Sequence, residues 1–460
     1  MLSNSGRTPR ELAPYLLHRA ENHNGTIIAA SEAVARLLLQ IDRGDLFAAA
    51  PILPQWAGAT AHTGETSKVL AREVRVAYEQ ELVDALKDAQ PGDVIVLTAP
   101  QLHITRTLDI ARPGEFRRPI TLTSAAGQIS TIEFTALEGL RVLAPNWIFA
   151  NLHIRGVCAN HVDCQHAFHI VSGASNTIIR NCRIEDFDAH IKINGQGGKY
   201  PDNGIIEGNT LSNSAPRRTN MPVTPIDLVA ASGWKIRSNL IADFIKAGGN
   251  RISYGAFAKG GGTGNRFEDN VIICEARTRA AAGQRVGLSF GGGGTAGYAC
   301  RDRSCIVEQV GGVARNNLIA FCSNVGIHLN RAASTKLEHN TLLDTGGIEV
   351  RFPESSLDSI GNLVDGPIYR RDGGTIVSSI DRSNNAAWMY FGVHPVRKLF
   401  ANWSTLNLRW ARAAPYLDAA TRQNDMDGCG IARSATPAYG AFEQFDRCAR
   451  TPAHQREILN

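Results

Sequence analysis

The chain has 460 residues, 43% of them hydrophobic, and a formal net charge of +5. That length supplies a large core, and that composition is ordinary for a globular protein. The mild charge includes no basic run that would grip nucleic acid, and no apolar stretch of roughly 18 residues exists to span a membrane.

The Met1-Leu2-Ser3-Asn4-Ser5 start is followed by no apolar run, so no signal peptide is expected. Residues 1–72 read as a separate N-terminal helical segment and linker. Arg10 to Ala20 and Ser31 to Ile41 have helical periodicity, and Pro51-Ile52-Leu53-Pro54 marks the linker. Val74-Arg75-Val76 then reads as a strand. Glu79 to Ala89 is an amphipathic helix with Leu82, Leu86 and Ala89 on one face. Pro91-Gly92-Asp93 turns into the apolar strand Val94-Ile95-Val96-Leu97. A helix here would cover the open edge of a sheet.

Eight asparagines then recur in one context: Asn151, Asn181, Asn209, Asn239, Asn270, Asn317, Asn340 and Asn362. Their intervals are 30, 28, 30, 31, 47, 23 and 22 residues. Repeats of this size signal a solenoid, because each unit is too short to bury its own apolar face. Short apolar strands with an Asn at the bend predict an all-β chain. Its core, residues 73–385, is expected to be a single-stranded right-handed parallel β-helix, with helical segments at both ends. The asparagines would form an inward amide ladder. Residues 386–460 are expected to be a C-terminal cap or packing arm, helical from Val396 to Leu417.

The second strands of the repeats align as Ile191-Lys192-Ile193-Asn194, Ile226-Asp227-Leu228-Val229, Ala256-Phe257-Ala258-Lys259, Leu288-Ser289-Phe290-Gly291, Ile327-His328-Leu329-Asn330 and Ile348-Glu349-Val350-Arg351. Alternation puts the first and third residues inside. One outward column is then Lys192, Asp227, Phe257, Ser289, His328 and Glu349. Beside it runs Asn194, Val229, Lys259, Gly291, Asn330 and Arg351. Glycine runs at Gly260-Gly261-Gly262 and Gly291 to Gly294 leave a smooth floor for a long ligand.

The Glu73 to Leu97 opening is similar to that of many pectate-lyase-like β-helix proteins. The segment Ile252 to Asn270, with Lys259-Gly260 followed by Asn265-Arg266-Phe267-Glu268-Asp269-Asn270, resembles the catalytic rung of the chondroitinase-B and alginate-lyase family. The resemblance implies a Lys base at Lys259. Two family features are absent. Gly291 stands where the family has Arg, and Ser253-Tyr254-Gly255 replaces its calcium-binding carboxylates.

These readings predict a polysaccharide lyase-like enzyme that cleaves an acidic, uronic-acid-containing polysaccharide by β-elimination. The alternatives are a uronate C5-epimerase and a non-catalytic glycan-binding protein. The expected catalytic residues are Lys259, Arg285, Tyr254 and His328: a base, a cation for the substrate carboxylate, and an acid. Lys192, Asn194, Asn330 and Arg351 are expected to bind substrate. Asp188, His190 and Asp227 form the candidate metal set. No cofactor is required; calcium is the one considered. The protein is expected to be a monomer that binds neither nucleic acid nor membrane.

Nine cysteines argue for disulfides. Cys300–Cys305 and Cys158–Cys164 are the expected pairs, with Cys429 and Cys448 bracketing the tail. Cys182, Cys274 and Cys322 fall in strands. The pairs point to a periplasmic or secreted protein, and the missing leader leaves the cytoplasm open.

Overall fold

The computed structural model describes residues 8–44, 53–60, 72–277, 282–292, 294–418 and 426–450. Its centre is a right-handed parallel β-helix. A typical rung contributes three strands, for example Ile205–Glu207, Thr210–Ser212 and Ile226–Val229. The first two strands of the rungs build a 21-stranded sheet, and the third strands build a 10-stranded sheet. The first strand of the large sheet is Glu73–Val76, and Thr375–Ser383 closes it.

Parallel register stacks like on like. Ile179, Ile206, Ile236 and Phe267 form one interior column, and Ile184, Leu211, Ile241 and Ile272 a second. Ile191, Ile226, Ala256, Leu288, Ile327 and Ile348 form a third. All of these are fully buried. Covering a large aliphatic side chain in this way stabilises by about 1.5–3 kcal/mol.

The asparagine ladder is real but shorter than the sequence pattern. Asn209 donates its side-chain amide to Asn239 at 3.0 Å, Asn239 to Asn270 at 3.0 Å, and Asn270 to Asn317 at 2.9 Å. Asn317 donates to Asn340 at 2.9 Å and Asn340 to Asn362 at 2.8 Å; Asn362 ends on Asp381 at 2.7 Å. Asn151 and Asn181 pair with each other as expected, Asn181 Nδ2 donating to Asn151 Oδ1 at 2.7 Å, but they stand outside this run. They occupy the preceding corner position, with φ of 56° and 49°. Gly208, Asp269, Asn316 and Gly361 adopt the same left-handed conformation there. Cys182 stands at the ladder position instead, and its amide donates to Asn209 Oδ1 at 2.9 Å. Asn serves both positions because it tolerates positive φ and also pairs through its amide.

Helix Glu79–Asp88 covers the first rung with Leu82 and Leu86. The N-terminal helices Pro9–Ala20 and Gly25–Arg43 dock on the side of the solenoid through buried charge. Arg10 donates to Asp42 at 2.6 Å, Asp344 at 2.9 Å and the Cys322 carbonyl at 2.9 Å. The C-terminal arm contains little of the expected helix. Val396 to Leu417 holds two short 3-10 turns and the hairpin Phe400–Asn402 with Asn407–Trp410. Its Phe400, Leu408, Phe442 and Phe445 cover Leu240, Val271, Leu318 and Leu363 on the outer face of the large sheet. Packing on that face overrides the local helical periodicity.

Three disulfides match the spacing argument: Cys158–Cys164, Cys300–Cys305 and Cys429–Cys448. A fourth, Cys274–Cys322, joins equivalent corners of adjacent rungs that lie 48 residues apart. Cys182 is buried and free. Non-reducing peptide mapping is expected to recover these four pairs and to find Cys182 alkylated only after denaturation. Asn270→Ala orphans the Asn239 amide groups that Asn270 Oδ1 accepts. It should lower stability by about 1–3 kcal/mol per orphaned group. Asn181→Ala, at a half-buried corner, should cost less. Urea midpoints of the two variants test the ranking.

Candidate functional site

The outward face of the 10-stranded sheet carries the polar columns. Its register pairs Lys192 with Asp227, Asp227 with Phe257, Phe257 with Ser289, Ser289 with His328 and His328 with Glu349. The column extends in one direction to His169 and Arg141, and in the other to Tyr369. Val229 pairs with Lys259, and Asn330 with Arg351.

Lys259 ends strand Ile252–Lys259. Its Nζ lies 4.4 Å from the centre of the Phe257 ring, and it makes no ion pair among the described residues. A Cβ on Gly292 would come within 2.6 Å of Lys259 Cδ, so a larger residue there would displace the lysine side chain. Burial holds the Lys259 ammonium below the usual lysine range. Asp227 opposes the shift, Lys192 adds to it, and Glu308 opposes it. Lys192 donates to Asp227 Oδ2 at 2.6 Å.

Tyr254 stands on the same face. The strand bends at Gly255, where a Cβ would meet the Gly287 carbonyl oxygen at 2.6 Å. Tyr254 therefore packs edge-on against Phe257, with ring centres 5.7 Å apart. Burial raises its phenol pKa, and Glu349 adds to the rise, so the phenol keeps its proton. Burial lowers His328, which keeps a neutral imidazole. Its Nε2, the Asn330 Oδ1 and the Asp227 Oδ1 are buried atoms with no hydrogen-bond partner. Asn194 is bonded to His169 Nε2 at 2.8 Å. Arg351 is held by Asp372 at 2.7 Å and stacks on Phe352.

Three expected groups lie elsewhere. Arg285 is 2% exposed and ion-paired with Glu275, so its guanidinium is not on the groove surface. The metal set does not assemble. Asp188 is buried in an ion pair with Arg217 at 2.8 Å, and His190 bonds the Ser212 carbonyl at 3.0 Å, while Asp227 serves Lys192. Neither Asp188 nor His190 faces outward: Asp188 is 1% exposed and His190 is fully buried. Among the described residues, Cys300, Asp302 and Cys305 are the group with ligand-like spacing. Its sulfurs form a disulfide, and Asp302 accepts the Ser304 and Cys305 amides. That arrangement fits a loop staple, not a metal centre.

The structure adds residues that sequence reasoning passed over. His166 opens strand His166–Val171, with its ring 5.2 Å from that of His169. Burial lowers its pKa to about 4. The His-Ala-Phe-His spacing at 166–169 was the available signal. Arg301 walls the groove by bonding Asp202 at 2.6 Å and stacking on Tyr200 at 4.4 Å. The Gly260 amide donates to Glu308 at 3.0 Å, which fixes the turn beyond Lys259.

Neither a known protein family nor a curated protein matches this sequence. Solved structures do match the fold. Pectate lyase Pel9A aligns at 13% identity with a TM-score of 0.57, over 84% of this chain and 98% of that one. An alginate lyase from Paenibacillus sp. str. FPU-7 aligns at 15% identity and a TM-score of 0.40, over 66% of this chain and 99% of that one. A rhamnogalacturonan lyase aligns at 12% identity and a TM-score of 0.38, over 68% and 85%. At these identities the likeness establishes the fold alone, a pectate-lyase-like parallel β-helix.

The electrostatics of Lys259 can be read directly. Its titration, followed by NMR of reductively methylated protein, should fall below the ordinary lysine value. Lys192→Gln removes a repulsion and releases Asp227, so the midpoint should rise. Asp227→Asn removes an attraction and releases Lys192, so it should fall further.

Proposed function

We propose that this protein is a polysaccharide lyase-like enzyme that cleaves a uronic-acid-containing polysaccharide by β-elimination, with Lys259 as the base. One observation carries the reading. Lys259 is a half-buried amine on an aromatic ring, without an ion pair among the described residues, midway along an outward column. Desolvation lowers its pKa, which raises the share of neutral amine able to take a proton.

The reaction assigns each group a task. Lys192 neutralises the uronate carboxylate, which makes the adjacent carbon-bound proton acidic. Arg285 has no part in that, being buried against Glu275, whereas Lys192 keeps 21% of its side chain exposed beside Asp227. Lys259 takes the proton from C5. The electron pair forms the C4–C5 double bond, and the C4–O bond breaks. Tyr254, whose phenol stays protonated, gives its proton to the leaving oxygen. His328 and Asn330 offer unpaired polar atoms to sugar hydroxyls in the neighbouring rungs. The four disulfides are consistent with an extracellular or periplasmic protein, where such polymers occur. No helix of the described residues is long and apolar enough to cross a membrane.

Incubation with a panel of uronic-acid polymers should raise ultraviolet absorbance as the unsaturated product forms. Lys259→Ala should lower the rate by about 10²–10⁴-fold. Lys259→Arg should do the same, because a guanidinium does not deprotonate at working pH. Both variants should melt with the wild type, since an outward lysine adds little to the core. Full activity in Lys259→Ala would assign the base elsewhere. Altered NMR spectra of the polymer without absorbance would mark epimerisation instead.

A further inference from the structure

The outward column has two unlike ends. At the first, Arg141 and Asp109 form an ion pair with side chains 42% and 48% exposed. Nothing among the described residues is bonded across it. At the last, Glu349 and Tyr369 are neighbours in register, yet only 5% and 8% exposed. The N-terminal helix Pro9–Ala20 reaches this point. The Tyr369 hydroxyl lies 2.7 Å from Glu11 Oε1 and 3.0 Å from Glu349 Oε2. Glu11 is itself fixed by the Thr8 amide at 2.8 Å and hydroxyl at 2.9 Å. Arg10, the next residue, is buried among Asp42, Asp344 and the Cys322 carbonyl, so this end of the helix is clamped to the solenoid. Arg371 reaches Glu349 at 3.3 Å from the far side.

The polar atoms left without protein partners lie between these ends. Among them are Asp227 Oδ1, His328 Nε2 and Asn330 Oδ1, with His166 Nδ1 and Glu138 Oε2 nearer the Arg141 end. Buried polar atoms require a partner, which a ligand or water supplies. Asp227 and His328 are three strand spacings apart, so the stretch spans ~14 Å. That length suits a short oligosaccharide. One spacing beyond His328 the column reaches Glu349, and a second spacing brings the helix-capped Tyr369.

Building on the acidic-polysaccharide reading, we propose that Glu11, with Tyr369 and Glu349, is the end wall of the groove, so that the protein engages the terminus of its polymer instead of an internal segment. A chain continuing past His328 would meet the Glu349–Arg371 ion pair and Glu11, and would have to displace a helix held by buried ion pairs. Chains can extend freely only past Arg141. The N-terminal segment is thereby a specificity element and not a tether.

Binding of defined oligouronates to the full-length protein tests this. The probes are oligogalacturonate, oligomannuronate and oligoguluronate, each supplied free, biotinylated at one end, or biotinylated at both, with streptavidin bound to the biotin. Affinity should stop rising once the oligomer fills the stretch. Streptavidin at one particular end should weaken binding at least tenfold, and at the other end should not. Glu11→Ala, checked by its melting curve, should recover part of the loss. Equal binding of free and doubly blocked oligomers would overturn the end wall while leaving the acidic-polysaccharide reading intact. An unchanged block in Glu11→Ala would remove Glu11 from the wall. If none of the three probes binds in any form, the substrate reading falls and the inference with it.

Discussion

Parallel pairing from rung to rung is the constraint on which this molecule depends. Each strand hydrogen-bonds to the strands before and after it along one axis, about 4.8 Å away. Residues at equivalent places in successive rungs must therefore stack. Inside, that produces columns such as Ile191, Ile226, Ala256 and Leu288. At the corner the chain bends and backbone groups would lose their partners. There the Asn209 to Asn362 amides bond each other and also the main chain; Asn239, for example, donates to the Ile206 carbonyl at 2.9 Å. Outside, the same spacing lines Lys192, Asp227, Phe257, Ser289 and His328 along a straight path.

A solenoid leaves surfaces that single-layer stacking cannot cover, and three added pieces cover them. Helix Glu79–Asp88 blocks the first rung. The C-terminal arm lies over the apolar outer face of the large sheet. The N-terminal helices dock by charge instead of by apolar area, with Arg10, Arg43 and Arg397 set among Asp42, Asp344 and Asp365. Buried ion pairs add little net stability but are costly to break or misplace. They suit a segment whose position, more than its affinity, matters. Asp344 is drawn well toward its charged form by these guanidiniums against the cost of burial.

The groove obeys the opposite rule at Lys259. Every strong cation nearby has its anion: Lys192 has Asp227, Arg301 has Asp202, and Arg351 has Asp372. Lys259 has a phenyl ring and a glycine loop. A ring face attracts a cation but provides no carboxylate to fix its proton. That difference marks Lys259 among the outward residues.

The strands, their register and both outward columns were legible in the sequence, because a period of two fixes which side chains face in and a repeating Asn fixes how rungs align. The pairs Cys158–Cys164 and Cys300–Cys305 were legible because short spacing limits their reach. What the sequence left ambiguous was decided by contacts between distant segments. Asn151 and Asn181 look like ladder residues, but the corner claimed them for positive φ. Cys274 and Cys322 meet only because a long excursion returns to the next rung. Arg285, Asp188 and His190 have the right chemistry for a site, yet each is turned to a buried partner at a bend: Glu275, Arg217 and the Ser212 carbonyl. Glu11, far from the groove in sequence, arrives there through Arg10 and its buried carboxylates. Local patterning sets which face of a strand a residue occupies. Only tertiary structure decides who meets it there, because the energy of a buried charge depends on a partner that its own segment does not contain.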